Sequence, residues 1–213
     1  MFEVIRLIHF TATADRQSTA AVLTGLRAAV VPHATAASIA PTLPGGINAG
    51  HAIFRVRFPS ESDWRAAEHA VDAALWTPTV ERVDGVTFPG AVRVARSAAP
   101  PRVYRTLLVA VDPAAEPDDV RQFEIETAAM PHYIRSIGAS QLARVSSASG
   151  AALWTHVWEQ EYSDLGGLTG PYMSHPYHWA HVDRWFDGER GQKIVTALCH
   201  GFATIEESIL TAG

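Results

Sequence analysis

The densest group of chemically capable side chains is His175-Pro176-Tyr177-His178-Trp179-Ala180-His181, with Tyr172 just before it and His156 further upstream. An imidazole titrates at about 6.5, so a partly buried histidine beside a tyrosine can take a proton from an activated carbon and return it to an oxyanion. If Pro176 is the first helical residue, with Ser174 or His175 as its cap, then His178, His181 or Val182, and Trp185 share one helix face. His178 would then face the interior near the helix start. His175, His178 and His181 with His156 or Asp183 could instead hold a metal, but residues three apart drift around a helix and no HExxH motif occurs. No metal and no cofactor are therefore expected. The plainer reading, in which His156 and His178 are hydrogen-bonded core residues, stays open.

Around these groups lie Trp154, Trp158, Tyr177, Trp179, Trp185 and Phe186, which either line a pocket for a planar or polyketide-like ligand or pack the core. Period-two alternation puts Trp154, His156, Trp158 and Gln160 on one face of a strand and Leu153, Thr155 and Val157 on the other. It does not say which face meets the helices. Asp164–Gly170, with three glycines, reads as a pocket rim, and Glu159, Glu161, Asp183, Arg184 and Glu189 read as a solvated charged surface.

The elements that must position these residues occur twice. Residues 2–10 and 103–109 alternate as first strands. Val22, Leu23, Leu26 and Val30, then Val120, Phe123 and Met130, carry helical spacing, with Asp15 as a cap and Pro117 as a first-turn proline. Pro32-His33 and Pro131-His132, 99 residues apart, read as the ends of both helices. Hairpins through Pro44-Gly45-Gly46 and Ser146–Gly150 lead to third strands that each start near a histidine, His51 and His156. Ser60 caps a second helix (Trp64, Ala67, Val71, Leu75), matched by the segment after Gly170, and residues 85–96 and 196–208 supply last strands. The pattern is βαββαβ twice: an α+β chain of two tandem ferredoxin-like repeats, residues 1–96 and 102–213, joined by the linker 97–101. A sheet covered by helices on one face leaves the other apolar, so the two antiparallel sheets are expected to close on each other as an intramolecular barrel.

Composition narrows the function. Seventeen Lys and Arg against 22 Asp and Glu leave a net charge of −5, with no basic run, which excludes nucleic acid and an anionic membrane as expected partners. A small molecule is the expected ligand, on a monomeric pseudo-dimer or a homodimer. One cysteine, Cys199, rules out an internal disulfide framework, and with no signal segment or long apolar run the expected location is cytoplasmic.

A histidine in strand three followed by Tyr172-Met173-Ser174-His175-Pro176-Tyr177-His178 is similar to the motif of the Dabb family, stress-responsive α/β-barrel proteins of the dimeric α+β barrel superfamily. The wider likeness covers nearly the whole chain as two repeats. Its plant polyketide cyclase members close a linear poly-β-keto thioester by aldol condensation without a cofactor. The resemblance implies His178 as general base, His156 as a second catalytic histidine and Tyr172 as the substrate-orienting tyrosine, with Arg105 in the first strand where those cyclases carry a histidine. Arg105, His175, Trp158, Trp154 and Trp179 are the expected substrate contacts. The N-terminal copy has Trp76-Thr77-Pro78-Thr79-Val80 at the matching place, so Val80 stands at the base position and that half is expected to be structural. The expected activity is cofactor-independent acid–base chemistry on an enolisable carbonyl compound, of cyclase, aldol or Claisen lyase, or isomerase type. The alternative is a non-catalytic stress-responsive or ligand-binding barrel.

Overall fold

The structure is a computed structural model that describes residues 1–91, 94–95, 99–189 and 191–211; part of the expected linker, Ser97 and Ala98, lies outside the described residues. The N-terminal half runs β1 (Phe2–Phe10), α1 (Arg16–Val30), β2 (Ala36–Pro41), β3 (Ala52–Phe58), α2 (Glu61–Leu75) and β4 (Val80–Pro89). After β5 (Val94–Ala95), the C-terminal half runs β6 (Val103–Val111), α3 (Pro117–Tyr133), β7 (Ala139–Arg144), β8 (Ser147–Ser149), β9 (His156–Tyr162) and β10 (Val195–Thr204).

Local chemistry sets the helix starts. The Asp15 carboxylate accepts from the Ser18 N–H at 2.7 Å and the Ser18 hydroxyl answers the Asp15 N–H, a reciprocal cap. Ser60 caps α2, and Pro117 opens α3, where its missing N–H costs nothing. Contrary to expectation, α3 does not stop at Pro131. It continues to Tyr133, because a proline this near the end removes one bond while Ile134 N–H still reaches Met130 O at 2.9 Å.

The strand orders are β2-β3-β1-β4-β8 and β10-β6-β9-β7-β5, so both repeats have the ferredoxin-like order and all pairings are antiparallel. Each sheet has five strands where four were expected. β8, from the C-terminal half, extends the N-terminal sheet at β4, and β5, the outgoing chain of the N-terminal half, extends the C-terminal sheet at β7. These reciprocal additions cover one edge of each sheet and tie the halves together.

Three cores follow. One lies between the sheets, from Ile5, Leu7, Val86 and Phe88 to Tyr104, Leu108, Val157 and Cys199. The others lie under the helices of each half: Leu26, Phe54, Phe58 and Trp64 in the first, Phe123, Trp158, Tyr172 and Trp185 in the second. Burying a side chain of this size stabilises by ~1.5–3 kcal/mol. The space between the sheets also holds charge. Arg55 on β3 pairs with Glu3 on β1 and with Glu159 on β9, and Glu159 further accepts from the Tyr104 hydroxyl at 2.6 Å and from Gln141. Glu159 is 0% exposed and Glu161 1%, so they are inner-face residues, not the solvated surface expected from their charge. The Glu161 carboxylate is held by the Ile209 and Leu210 N–H groups and the Ser208 hydroxyl.

Candidate acid–base site

Alternation along β9 resolves as His156, Trp158, Gln160 and Tyr162 toward the helices, and Val157, Glu159 and Glu161 toward the other sheet. Trp154 departs from the expected face. It precedes the strand, where alternation has not begun, and packs into the inter-sheet core at 4% exposure.

The layer over this face is not the regular helix expected after Gly170. It is a run of single turns, Leu165–Gly167, Leu168–Tyr172, His178–Val182 and Asp183–Trp185, of which the second and third are π-helical. Gly166, Gly167, Gly170, Pro171 and Pro176 explain the interruption. His178, Val182 and Trp185 share the buried face, whereas His181 is 51% exposed in its side chain and stacks on Tyr177. The layer is fastened to α3 through Glu126, which accepts from Arg184 at 2.8 Å and from the Trp185 indole at 2.8 Å, while the Tyr177 hydroxyl donates to its carbonyl at 3.0 Å.

Under this layer the structure brings together Arg105, Trp158, Tyr172 and His178. The Arg105 guanidinium lies against both the Trp158 and Tyr172 rings, 4.7 Å from each centroid. Its Nε donates to His200 Nε2 at 2.9 Å and its Nη1 to Gln160 Oε1 at 2.7 Å, and the same oxygen takes the Tyr162 hydroxyl at 2.7 Å. Arg105 is 4% exposed, and among the described residues no carboxylate pairs with it. The Tyr172 and His178 rings are 4.6 Å apart, and His178 Nε2 is 3.6 Å from Asp183 Oδ1. Among the described residues the buried Tyr172 hydroxyl has no hydrogen-bond partner of good geometry. Burial pushes its pKa up to about 12, against the opposing pull of Arg105, so it remains a protonated donor at neutral pH.

His200 belongs to the cluster and was not expected. Finding it requires the β6–β10 register, which sets the His200–Leu107 pair two positions from the Phe202–Arg105 pair. Burial, then Arg105 and His178, push its pKa down to about 3, consistent with its accepting a hydrogen bond from the guanidinium. This makes the cluster acid-sensitive. The unfolded chain binds a proton at His200 below about pH 6.5, the folded chain only near 3, so its contribution to stability is full above 6.5 and is lost as pH falls through this window. With ~1.4 kcal/mol per pKa unit and a discount for partial exposure, the loss is on the order of 3 kcal/mol. Urea midpoints at pH 7 and pH 4 should converge in His200→Gln; an unchanged acid dependence would contradict this.

The other expected residues lie apart. His156 has Nε2 2.9 Å from Glu124 and Nδ1 2.8 Å from the Thr155 hydroxyl, so both ring nitrogens are engaged away from His178. His175 Nδ1 accepts the Tyr177 N–H at 3.1 Å, a local cap, and Trp179 is 48% exposed with its indole on Ser174 O. Among the described residues no group of three or more His, Cys, Asp or Glu side chains is placed to hold a metal ion, which agrees with these separate engagements. No helix among the described residues is long and apolar enough to cross a membrane.

Residues 103–196 match the family model of the Stress responsive A/B Barrel Domain, Dabb. Across its full length the chain is similar to the solved structure of an anthrone oxidase-like protein, at 10% identity and TM-score 0.61, covering 100% of this chain and 96% of that one. It is also similar to chlorite dismutase from Candidatus Nitrospira defluvii in complex with imidazole, at 11% identity and TM-score 0.55, covering 98% and 91%. At these identities the likeness is one of fold, and it extends the tandem barrel architecture over both halves. No curated protein matches the sequence.

Proposed function

We propose, from the premise that residues 103–196 are a Stress responsive A/B Barrel Domain, that the Arg105–Tyr172–His178 cluster performs cofactor-independent acid–base chemistry on a small enolisable carbonyl compound. Cyclisation, aldol or Claisen cleavage, and isomerisation all share that first step. The observation that carries the reading is the Tyr172 hydroxyl, among the described residues a buried donor without an acceptor beside a guanidinium without a carboxylate. A carbonyl oxygen placed between them would accept from Tyr172 and lie in the field of Arg105. As the neighbouring C–H bond breaks, its proton passes to His178 and its electron pair becomes the enolate, whose oxygen charge these two groups stabilise in a low-dielectric setting. Asp183 supports the imidazolium so formed. His200, held neutral, orients the guanidinium without adding charge.

A second reading, a non-catalytic barrel, is favoured by the closed packing of Trp158, Tyr162 and Tyr172 around the guanidinium. On the catalytic reading the broken helical layer must open to admit substrate. Tyr172→Phe tests the role of the hydroxyl. Deleting an unsatisfied buried group should leave thermal stability equal or higher, while turnover falls about tenfold or more. A clearly lower melting temperature would mean that the hydroxyl is tied into the fold.

A further inference from the structure

The loop after β2 crosses onto the C-terminal sheet. Leu43 N–H reaches Phe202 O at 2.8 Å, and Ile47 and His200 exchange backbone bonds of 2.8 and 2.7 Å. The approach depends on glycine, since a Cβ on Gly46 would stand 2.7 Å from His200 O. The loop after β8 is in turn pinned by Ala151 N–H to Asp84 Oδ1 at 2.7 Å. Between the two lies a cavity of about 430 Å³ that neither half makes alone: Ile47 and Arg82 come from the first, Trp154, Phe186, Lys193 and Cys199 from the second.

The charges in its lining are of one sign. Arg82 and Lys193 are the charged residues of its lining, and among the described residues no carboxylate lines it, in a chain whose net charge is −5. Arg82 is fixed by Asp84, 3.2 Å from its Nε, and by His9 at 3.1 Å. Lys193 is exposed and makes no ion pair with a described residue. The walls are the Trp154 and Phe186 rings, alanines and Cys199, whose thiol burial keeps neutral. The volume falls in the range of small-molecule sites.

We propose that this cavity is a second binding site, for a small organic anion with a flat apolar body such as an aromatic carboxylate, with the ring against Trp154 and Phe186 and the negative group toward Lys193 and Arg82. The N-terminal half would then supply part of a binding site. Trp154, expected to line the histidine pocket, would serve this one.

The test is titration of the full chain with 1-naphthoate and with the neutral 1-naphthylmethanol, followed by calorimetry and tryptophan fluorescence. Wild type should bind naphthoate saturably and more tightly than the alcohol. Lys193→Gln, at an exposed position, should weaken naphthoate by about five- to tenfold with the alcohol unchanged. Ala151→Trp, which puts a bulky ring into the lining, should abolish both, and His178→Ala should change neither. Absence of saturable binding, equal affinity for the alcohol, naphthoate affinity untouched by Lys193→Gln or Ala151→Trp, or loss of binding in His178→Ala would each overturn the proposal.

Discussion

Alanine at position 178 is expected to leave the fold standing and to cut turnover about a hundredfold or more, the usual loss when a general base is removed. His178 is 9% exposed, sits on a π-helical turn and packs its ring on Tyr172. It is a small polar group within a cluster otherwise held by Arg105, Gln160 and His200, so its removal opens little apolar core. Val80, expected at the matching place of the N-terminal repeat, instead opens β4 and is no structural counterpart of His178, which sits on a turn before the last strand. Melting temperature and rate measured on the same variant separate the roles. A large fall in melting temperature would make His178 structural, and full activity would remove it from the mechanism.

The largest stability effect is expected between the sheets. Arg55 is fully buried, and although burial opposes its charge, the Glu159 and Glu3 carboxylates outweigh that cost and raise its pKa. Arg55→Ala would leave both carboxylates buried with less compensation, at a cost of about 3–5 kcal/mol, read as a lower denaturant midpoint or failure to fold. Because Arg55 and Glu159 come from different halves, the loss should fall on the whole molecule as one transition. Arg55→Met combined with Glu159→Leu should recover part of it, since an apolar pair in place of an ion pair is often neutral or better. A double variant as unstable as Arg55→Ala would contradict that reading.

Repetition and punctuation carried most of the fold in the sequence. The caps at Asp15, Ser60 and Pro117 act locally, and the first strands alternate over nine residues, long enough to show their period. The strand additions β5 and β8, two and three residues long, are too short to carry any period, and their partners are set by the other half. Glu159 and Glu161 alternate correctly with Trp158, but their charge suggested solvent. Only the partner 104 residues away, Arg55, makes that face an interior. In the site, Tyr172 and His178 were legible because they lie in one short motif. Arg105 came from the resemblance, and its contacts with Gln160 and His200 depend on strand register. His156, Trp154, His175 and Trp179 share the motif's neighbourhood in sequence, but strand start, cap and surface position direct them elsewhere.

The most direct measurement is hydrogen exchange at carbon. Incubating the protein in D₂O with a panel of β-dicarbonyl compounds and acyl thioesters, and following the acidic C–H by NMR, reports proton abstraction whatever the later steps are. Wild type should accelerate exchange in at least one of them, with the acceleration reduced about a hundredfold or more in His178→Ala. Exchange in the presence of wild type no faster than in buffer across the panel, or equally fast with His178→Ala, would contradict the account.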